Sequence, residues 1–185
     1  MMVLLALKKR REAPELEPGK EPLVTVLVPA YNEEKVLRST VESLLGSRYP
    51  NLEILVIDDG SKDGTYAIGG QLAREHERVR CITKKNGGKA AASNHGIEHA
   101  RGDILVCVDA DTLIHPDAIG LLARHFADPK ISAVCGNVEV GNVHSALTAF
   151  QAIEYVTSQN LDRRALASVN AVNVVPGALG AWRKE

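Results

Sequence analysis

The chain has 185 residues, 45% of them hydrophobic and 24% charged, which suits one globular domain with a real core and excludes a disordered or fibrous chain. A formal net charge of −1 gives no electrostatic basis for a nucleic-acid partner. Cys81, Cys107 and Cys135 lie far apart inside apolar runs, so they offer no zinc spacing or redox pair and read as reduced, buried thiols.

In chain order, Met1 to Leu7 is apolar and is followed at once by Lys8-Lys9-Arg10-Arg11. The run is too short to span a bilayer, and a secretory signal would place its charges first. Basic residues just after an apolar run are what the cytoplasmic end of a membrane helix looks like, so a frayed tail and a membrane-proximal tail both stay open. Residues 12–22, with Pro14, Pro18, Gly19 and Pro22 among Glu and Lys, read as a linker. The expected division is a tail and linker over 1–22 and one domain over 23–185.

From Leu23 strands alternate with helices. Residues 23–28 (LVTVLV) form a continuous β-prone run ended by Pro29, as suits a central parallel strand covered on both faces. Asn32 is placed to cap a helix with Glu33 and Glu34 in its first turn; Val36, Leu37, Val41, Leu44 and Leu45 share one face, and Gly46 stops it. A second strand spans 52–57, and a helix is expected over 64–76 despite Gly69-Gly70. Residues 79–83 give a third strand, 89–100 an Ala-rich helix, 104–108 a fourth strand and 116–126 a helix begun by Pro116. Residues 131–140 have strand character interrupted by Gly136, 145–168 form the longest helical stretch, and 172–175 are a last strand candidate before Pro176-Gly177. The alternation predicts an α/β fold: a Rossmann-like, mostly parallel sheet with helices on both faces.

In such sheets ligands bind beyond the carboxyl ends of the strands, where strand order reverses. The four predicted strands end in Pro29-Ala30-Tyr31-Asn32-Glu33, in Asp58-Asp59-Gly60-Ser61, in "KKNGGK" over 84–89, and in Asp109-Ala110-Asp111. Carboxylates at strand ends can accept hydrogen bonds from a base or ribose. A second acidic pair can hold Mg2+ or Mn2+, which prefer oxygen ligands and bridge carboxylates to phosphate. Gly87-Gly88 permits close backbone approach at a helix start, where Lys89 adds positive charge. Singly each signal is weak: Asp-x-Asp arises by chance, "DDGS" is commonly a plain turn, and "NGGK" lacks the Walker spacing. Together, in this order and at successive strand ends, they describe a nucleotide diphosphate pocket. A Rossmann oxidoreductase fits poorly, since no G-x-G-x-x-G follows the first strand.

The segments "VTVLVPAYNEE", "LEILVIDDGSKDGT", "NGGKAAASNHGI" and "GDILVCVDADT" resemble the successive signatures of family 2 inverting glycosyltransferases, which have the GT-A fold. The later "AVCGNVEVGN", "QAIEYVTSQNLDRRA" and "VVPGALGAWRKE" resemble the processive, membrane-embedded branch that makes β-linked polysaccharides: poly-N-acetylglucosamine, chitin-oligosaccharide, hyaluronan and cellulose synthases. The resemblance spans residues 23–185. It implies metal-assisted transfer from a UDP-sugar, with UDP-N-acetylglucosamine the expected donor and a growing polysaccharide as acceptor. It also implies the cytoplasmic face of a membrane as the parent's location. Position by position, Pro29, Ala30, Tyr31 and Glu33 match the loop around uracil and ribose. Asp58 and Asp59 match the second-strand carboxylates, with Asp59 chosen for the base contact. Gly88 and Lys89 match the basic position near the nucleotide, and Asp109 and Asp111 the metal pair, with Asp111 the direct ligand. Pro176 to Ala178 resembles the acceptor-end segment, and "QNLDRR" the region by the sugar or the interface helices.

The family's catalytic base, an Asp in a "TED" or "ED" motif, and its "QxxRW" signature have no counterpart up to Glu185; Trp182 is followed by Arg183. The chain is therefore expected to be the donor-binding part of a longer synthase, to bind donor without transferring it, and to be open to self-association. Glu139, Glu154 and Asp162 read as exposed or capping acids rather than as a base. His95 and His99 stand four apart on a predicted helix, but nothing nearby completes a zinc site; these and His115, His125 and His144 read as surface or satisfied histidines. Two rival readings remain: a polyprenyl-phosphate sugar transferase, against which residues 134–185 argue, and a non-catalytic nucleotide-binding or assembly module.

Overall fold

The computed structural model describes residues 16, 17, 19–138, 150, 166 and 178–184. The tail over 1–11, nearly all of the 145–168 helix, the 172–175 strand, Pro176, Gly177, His144, Glu139, Glu154 and Asp162 lie outside the described residues. Within them the chain runs β1 (Val24–Ala30), α1 (Leu37–Leu45), β2 (Leu52–Asp58), α2 (Thr65–Glu75), β3 (Val79–Thr83), α3 (Lys89–His99) and β4 (Ile104–Val108). There follow α4 (Ala118–Ala123), a 3-10 turn (Arg124–Ala127), β5 (Ala133–Cys135) and β6 (Leu179–Arg183).

The described strands make one sheet in the order β3-β2-β1-β4-β6-β5. β1 lies parallel to both β2 and β4, and β2 to β3, while β6 runs antiparallel between β4 and β5. Side chains alternate across the sheet as the strand period of two demands. Val24, Val26, Val28, Ile54, Val56, Ile104 and Val106 enter one core with Leu37, Val41, Leu44, Leu72, Ile119 and Phe126. Leu27, Leu55, Ile57 and Leu105 enter a smaller one with Ala92 and Ala100 on the α3 side. Both faces are thus covered, which is why the strands read as continuous apolar runs. On its side α3 lies very close to the sheet: a Cβ on Gly96 would stand 2.9 Å from the Ile57 side chain and 3.2 Å from that of Leu27. Gly69 does the same for α2 against Cys81, so one glycine of the pair that weakens this helix on propensity is a packing device, while Gly70 meets nothing closer than Arg74 at 3.6 Å.

Several elements differ from expectation. β1 continues through Pro29 to Ala30, because its pairing with β4 ends at Leu27 while that with β2 runs on to Asp58. Pro29 thus lacks a partner on one side, where a missing N–H is tolerated. Helix α1 starts at Leu37 rather than after Asn32, which has φ 57° and does not cap it. Instead the "NEE" segment is tied to the loop after β2. The Asn32 N–H donates to Ser61 Oγ and the Glu33 N–H to Thr65 Oγ1, while Asn32 Oδ1 accepts from the Lys62 N–H and Glu34 Oε2 from that of Gly64. Pro116 does not begin α4; its carbonyl accepts the Arg48 N–H at 2.9 Å.

β3, β2 and β1 build outward in one direction, and the chain then crosses to place β4 on the other side of β1. Strand order therefore reverses between β1 and β4, and the carboxyl ends of these two strands frame a crevice.

Candidate functional site

The crevice holds a cleft of about 320 Å³, lined by Pro29, Ala30, Tyr31, Glu33, Asp59, Asn86, Gly88, Lys89, Ala92, Asp109, Ala110 and Asp111. Every expected site residue except Asp58 is there. Asp58 is buried below the rim, with Oδ2 accepting from the Thr83 hydroxyl at 2.7 Å and Oδ1 from the Ser61 N–H at 3.2 Å. Its carboxylate ties β2 to β3 and closes the turn, and of the residues expected to contact nucleotide it is the one the fold leaves outside the cleft lining. Asn86, which lies beside the glycines in "NGGK", was not singled out from the sequence; only the fold of its loop turns it to the cleft.

Asp59 is 2% exposed, and both its oxygens are engaged. Oδ1 accepts from Lys84 Nζ at 2.7 Å and from the Gly87 N–H at 3.1 Å; Oδ2 accepts from the Gly88 N–H at 2.7 Å and also from Gly87. Burial alone would raise its carboxyl, but the bonds from Lys84, Gly87 and Gly88 outweigh it and hold the group below the usual carboxylate range. This carboxylate pins the 84–88 loop over the end of β2. Gly60 makes room: it has φ +71°, and a Cβ there would stand 2.8 Å from the Asn86 nitrogen.

The pinned loop leads into α3. Gly88, at φ 85°, precedes its first turn, so free backbone N–H groups and the positive end of the helix face the cleft beside Lys89. Lys89 Nζ pairs with Asp109 Oδ1 across the cleft. Tyr31, 41% exposed, adds an aromatic side chain to the lining. The Asp111 carboxylate is exposed and makes no hydrogen bond or ion pair among the described residues.

This donor set fits a hard divalent cation. Two carboxylates, one free and one shared with a lysine, project at the end of β4, and Mg2+ or Mn2+ takes only one or two protein carboxylates and completes its shell with water and phosphate. Among the described residues no three His, Cys, Asp or Glu groups converge in the cleft, so it is no closed all-protein cage. The thiols stay out of this chemistry: burial pushes both Cys81 and Cys107 up to about 11.

The chain is similar to several known proteins. Poly-beta-1,6-N-acetyl-D-glucosamine synthase of Staphylococcus aureus (strain COL) is 33% identical over 162 residues, 87% of this chain. The Staphylococcus epidermidis protein of that name is 34% identical over the same length. The chain spans 39% of the length of these relatives. Among solved structures, the mannosyltransferase PcManGT from Pyrobaculum calidifontis in complex with GDP-Man and Mn2+ matches 98% of this chain and 50% of its own, with a TM-score of 0.77 and 28% identity. S. aureus TarS 1-349, at 23% identity, shares the fold with a TM-score of 0.55 over 66% of this chain and 37% of its own. Residues 25–179 match Glycosyl transferase family 2, and with the GT-A sheet and its rim in place, the chain belongs to that family.

Proposed function

We propose that this chain forms the donor-binding part of a glycosyltransferase that builds a β-linked polysaccharide from a UDP-sugar of the N-acetylglucosamine type, with inversion and with Mg2+ or Mn2+. The observation that carries the reading is the convergence of Tyr31, Glu33, Lys89, Asp109 and Asp111 on one cleft at the point where strand order reverses. The GDP-Man and Mn2+ of the mannosyltransferase structure support a nucleotide sugar and a divalent ion, and the names of the staphylococcal relatives support the sugar and the polymer.

In this reading Tyr31 flanks the base, and Glu33 and Asp109 face the ribose. The first turn of α3, with Lys89, receives the diphosphate. Asp59, its oxygens committed to Lys84, Gly87 and Gly88, acts through the loop: it fixes the lead-in to α3, and with it the place of that helix's first turn and of Lys89. Asp111, with Asp109 beside it, would hold the ion. When bound, such an ion supplies positive charge against the charge that builds on the departing diphosphate. Inversion also needs a base within hydrogen-bond reach of the acceptor hydroxyl. The carboxylates in the cleft already have other tasks, so we assign the base to none of them. In this proposal the acceptor is a growing polysaccharide and the parent protein works at the cytoplasmic face of a membrane; no described helix is itself long and apolar enough to cross one.

Calorimetry tests this directly. UDP and UDP-N-acetylglucosamine should bind in the presence of Mn2+ and lose affinity when it is chelated. A chain that binds neither nucleotide with Mn2+ present overturns the reading.

A further inference from the structure

The far end of α3 carries a feature that the donor cleft does not use. His95 and His99 are one turn apart and share a helix face, and Glu98 reaches the same spot from the third position after His95. One ligand atom from each of the three lies within 4.8 Å of the other two. From the sequence nothing near the histidines is expected to complete a site; the fold brings the Glu98 carboxylate to them. The imidazole centroids are 4.4 Å apart and tilted by 57°, so the rings converge edgewise rather than stack. His95 Nδ1 stands 3.7 Å from Glu98 Oε2. His99 Nδ1 lies 2.8 Å from the His95 carbonyl oxygen. A carbonyl can only accept, so Nδ1 carries the proton and Nε2 keeps its lone pair, the usual second bond of a metal-binding histidine.

We propose that His95, Glu98 and His99 form a second cation site, specific for Zn2+ or a similarly imidazole-seeking ion, separate from the Mg2+/Mn2+ site of the cleft. The chemistry of the donors sets the difference. Two imidazoles and a carboxylate are the ligand set of an open tetrahedral zinc site, with the remaining position left to water. Mg2+, which demands oxygen ligands, gains little there, whereas the oxygen-only pair Asp109 and Asp111 suits it. The two sites are also apart in space: six residues of helix put His95 about 9 Å along the axis from Lys89. A bound ion would cross-link successive turns of α3, the helix whose first turn lines the cleft. Glu98 and His99 are exposed, so an ion reaches them from solvent without any opening of the fold.

The test is a titration of the whole chain with Zn2+ in excess Mg2+, without nucleotide, followed by calorimetry and by thermal unfolding. Expected is one saturable Zn2+ per chain and a melting temperature that rises with Zn2+. His95→Ala and His99→Ala should each weaken binding at least about tenfold, the scale on which even outer-shell changes weaken metal sites, and abolish the thermal shift. Glu98→Gln should weaken it less, and Asp111→Ala should leave it unchanged. Circular dichroism checks that each variant keeps its helix. No saturable Zn2+ binding, binding that survives both histidine variants, or binding lost with Asp111 would each overturn the proposal. None of these outcomes depends on whether the cleft takes a nucleotide.

Discussion

The Asp58-Asp59 pair at the end of β2 is knitted into the protein, whereas Asp109 and Asp111 at the end of β4 stand open to the cleft. Asp58 is taken up by Thr83 and Ser61, and Asp59 by Lys84, Gly87 and Gly88. Asp109 has only Lys89, and Asp111 has no partner among the described residues. A carboxylate whose acceptor sites are filled by its own chain holds architecture. One left without donors in a cleft is available to a cation from outside. The two pairs therefore share a rim but divide the work, one shaping it and the other binding at it.

Substitutions should separate these roles. The largest expected effect is on folding: Asp59→Ala leaves Lys84 and two backbone N–H groups without their acceptor and should cost about 3 kcal/mol in urea unfolding. Next, Asp111→Ala should weaken Mn2+-dependent UDP binding by about a hundredfold, or about 2.7 kcal/mol, in calorimetry. Its unfolding free energy should stay within about 0.5 kcal/mol of the parent's. A large loss of stability in that variant would break the comparison. Asp58→Ala should cost about 2 kcal/mol of stability while folded protein still binds UDP.

Acid supplies a subtler probe. The Asp59 and Glu53 carboxyls are held below their ordinary range against the opposing pull of burial, Glu53 by Thr25, Arg80 and Arg101. The folded protein thus binds these protons less readily than the unfolded chain, whose acids titrate near about 4. The stabilisation is complete above that pH and drains away as pH falls below it and through the lower values these groups have in the folded protein. Urea midpoints measured across this window should decline, and Asp59→Asn should flatten the slope. Smallest of all, Lys89→Ala removes a half-exposed ion pair and should alter stability by less than about 1 kcal/mol, while still weakening UDP binding.

Much of this was legible before any coordinates. The strands β1 to β4 announce themselves as continuous apolar runs because both sheet faces are covered, and the rim residues follow because they end those runs. What escaped depends on tertiary partners. Asn32 has the chemistry of a cap, but its bonds to Ser61 and Lys62 pull it out of the helix. Leu179–Arg183, with a glycine and an alanine at its centre, has little β propensity; β4 and β5 on either side make it a strand. Conversely β5 is shorter than its apolar run, and Gly136, which follows it, lies so close to Leu179 that a Cβ would approach to 2.4 Å. The role of Asp59 was the hardest to see: sequence gives the carboxylate but not the four hydrogen bonds that occupy it.

The reversed strand has one further consequence. Because β6 opposes β4, with Leu179 beside Val108, it starts at the very edge where the parallel strands finish. A substitution at Ala178, the described residue before Leu179, is thus introduced at that edge without lengthening any of the four loops that shape the cleft. Evolution or an engineer can therefore retool one flank of this working edge while leaving the other untouched.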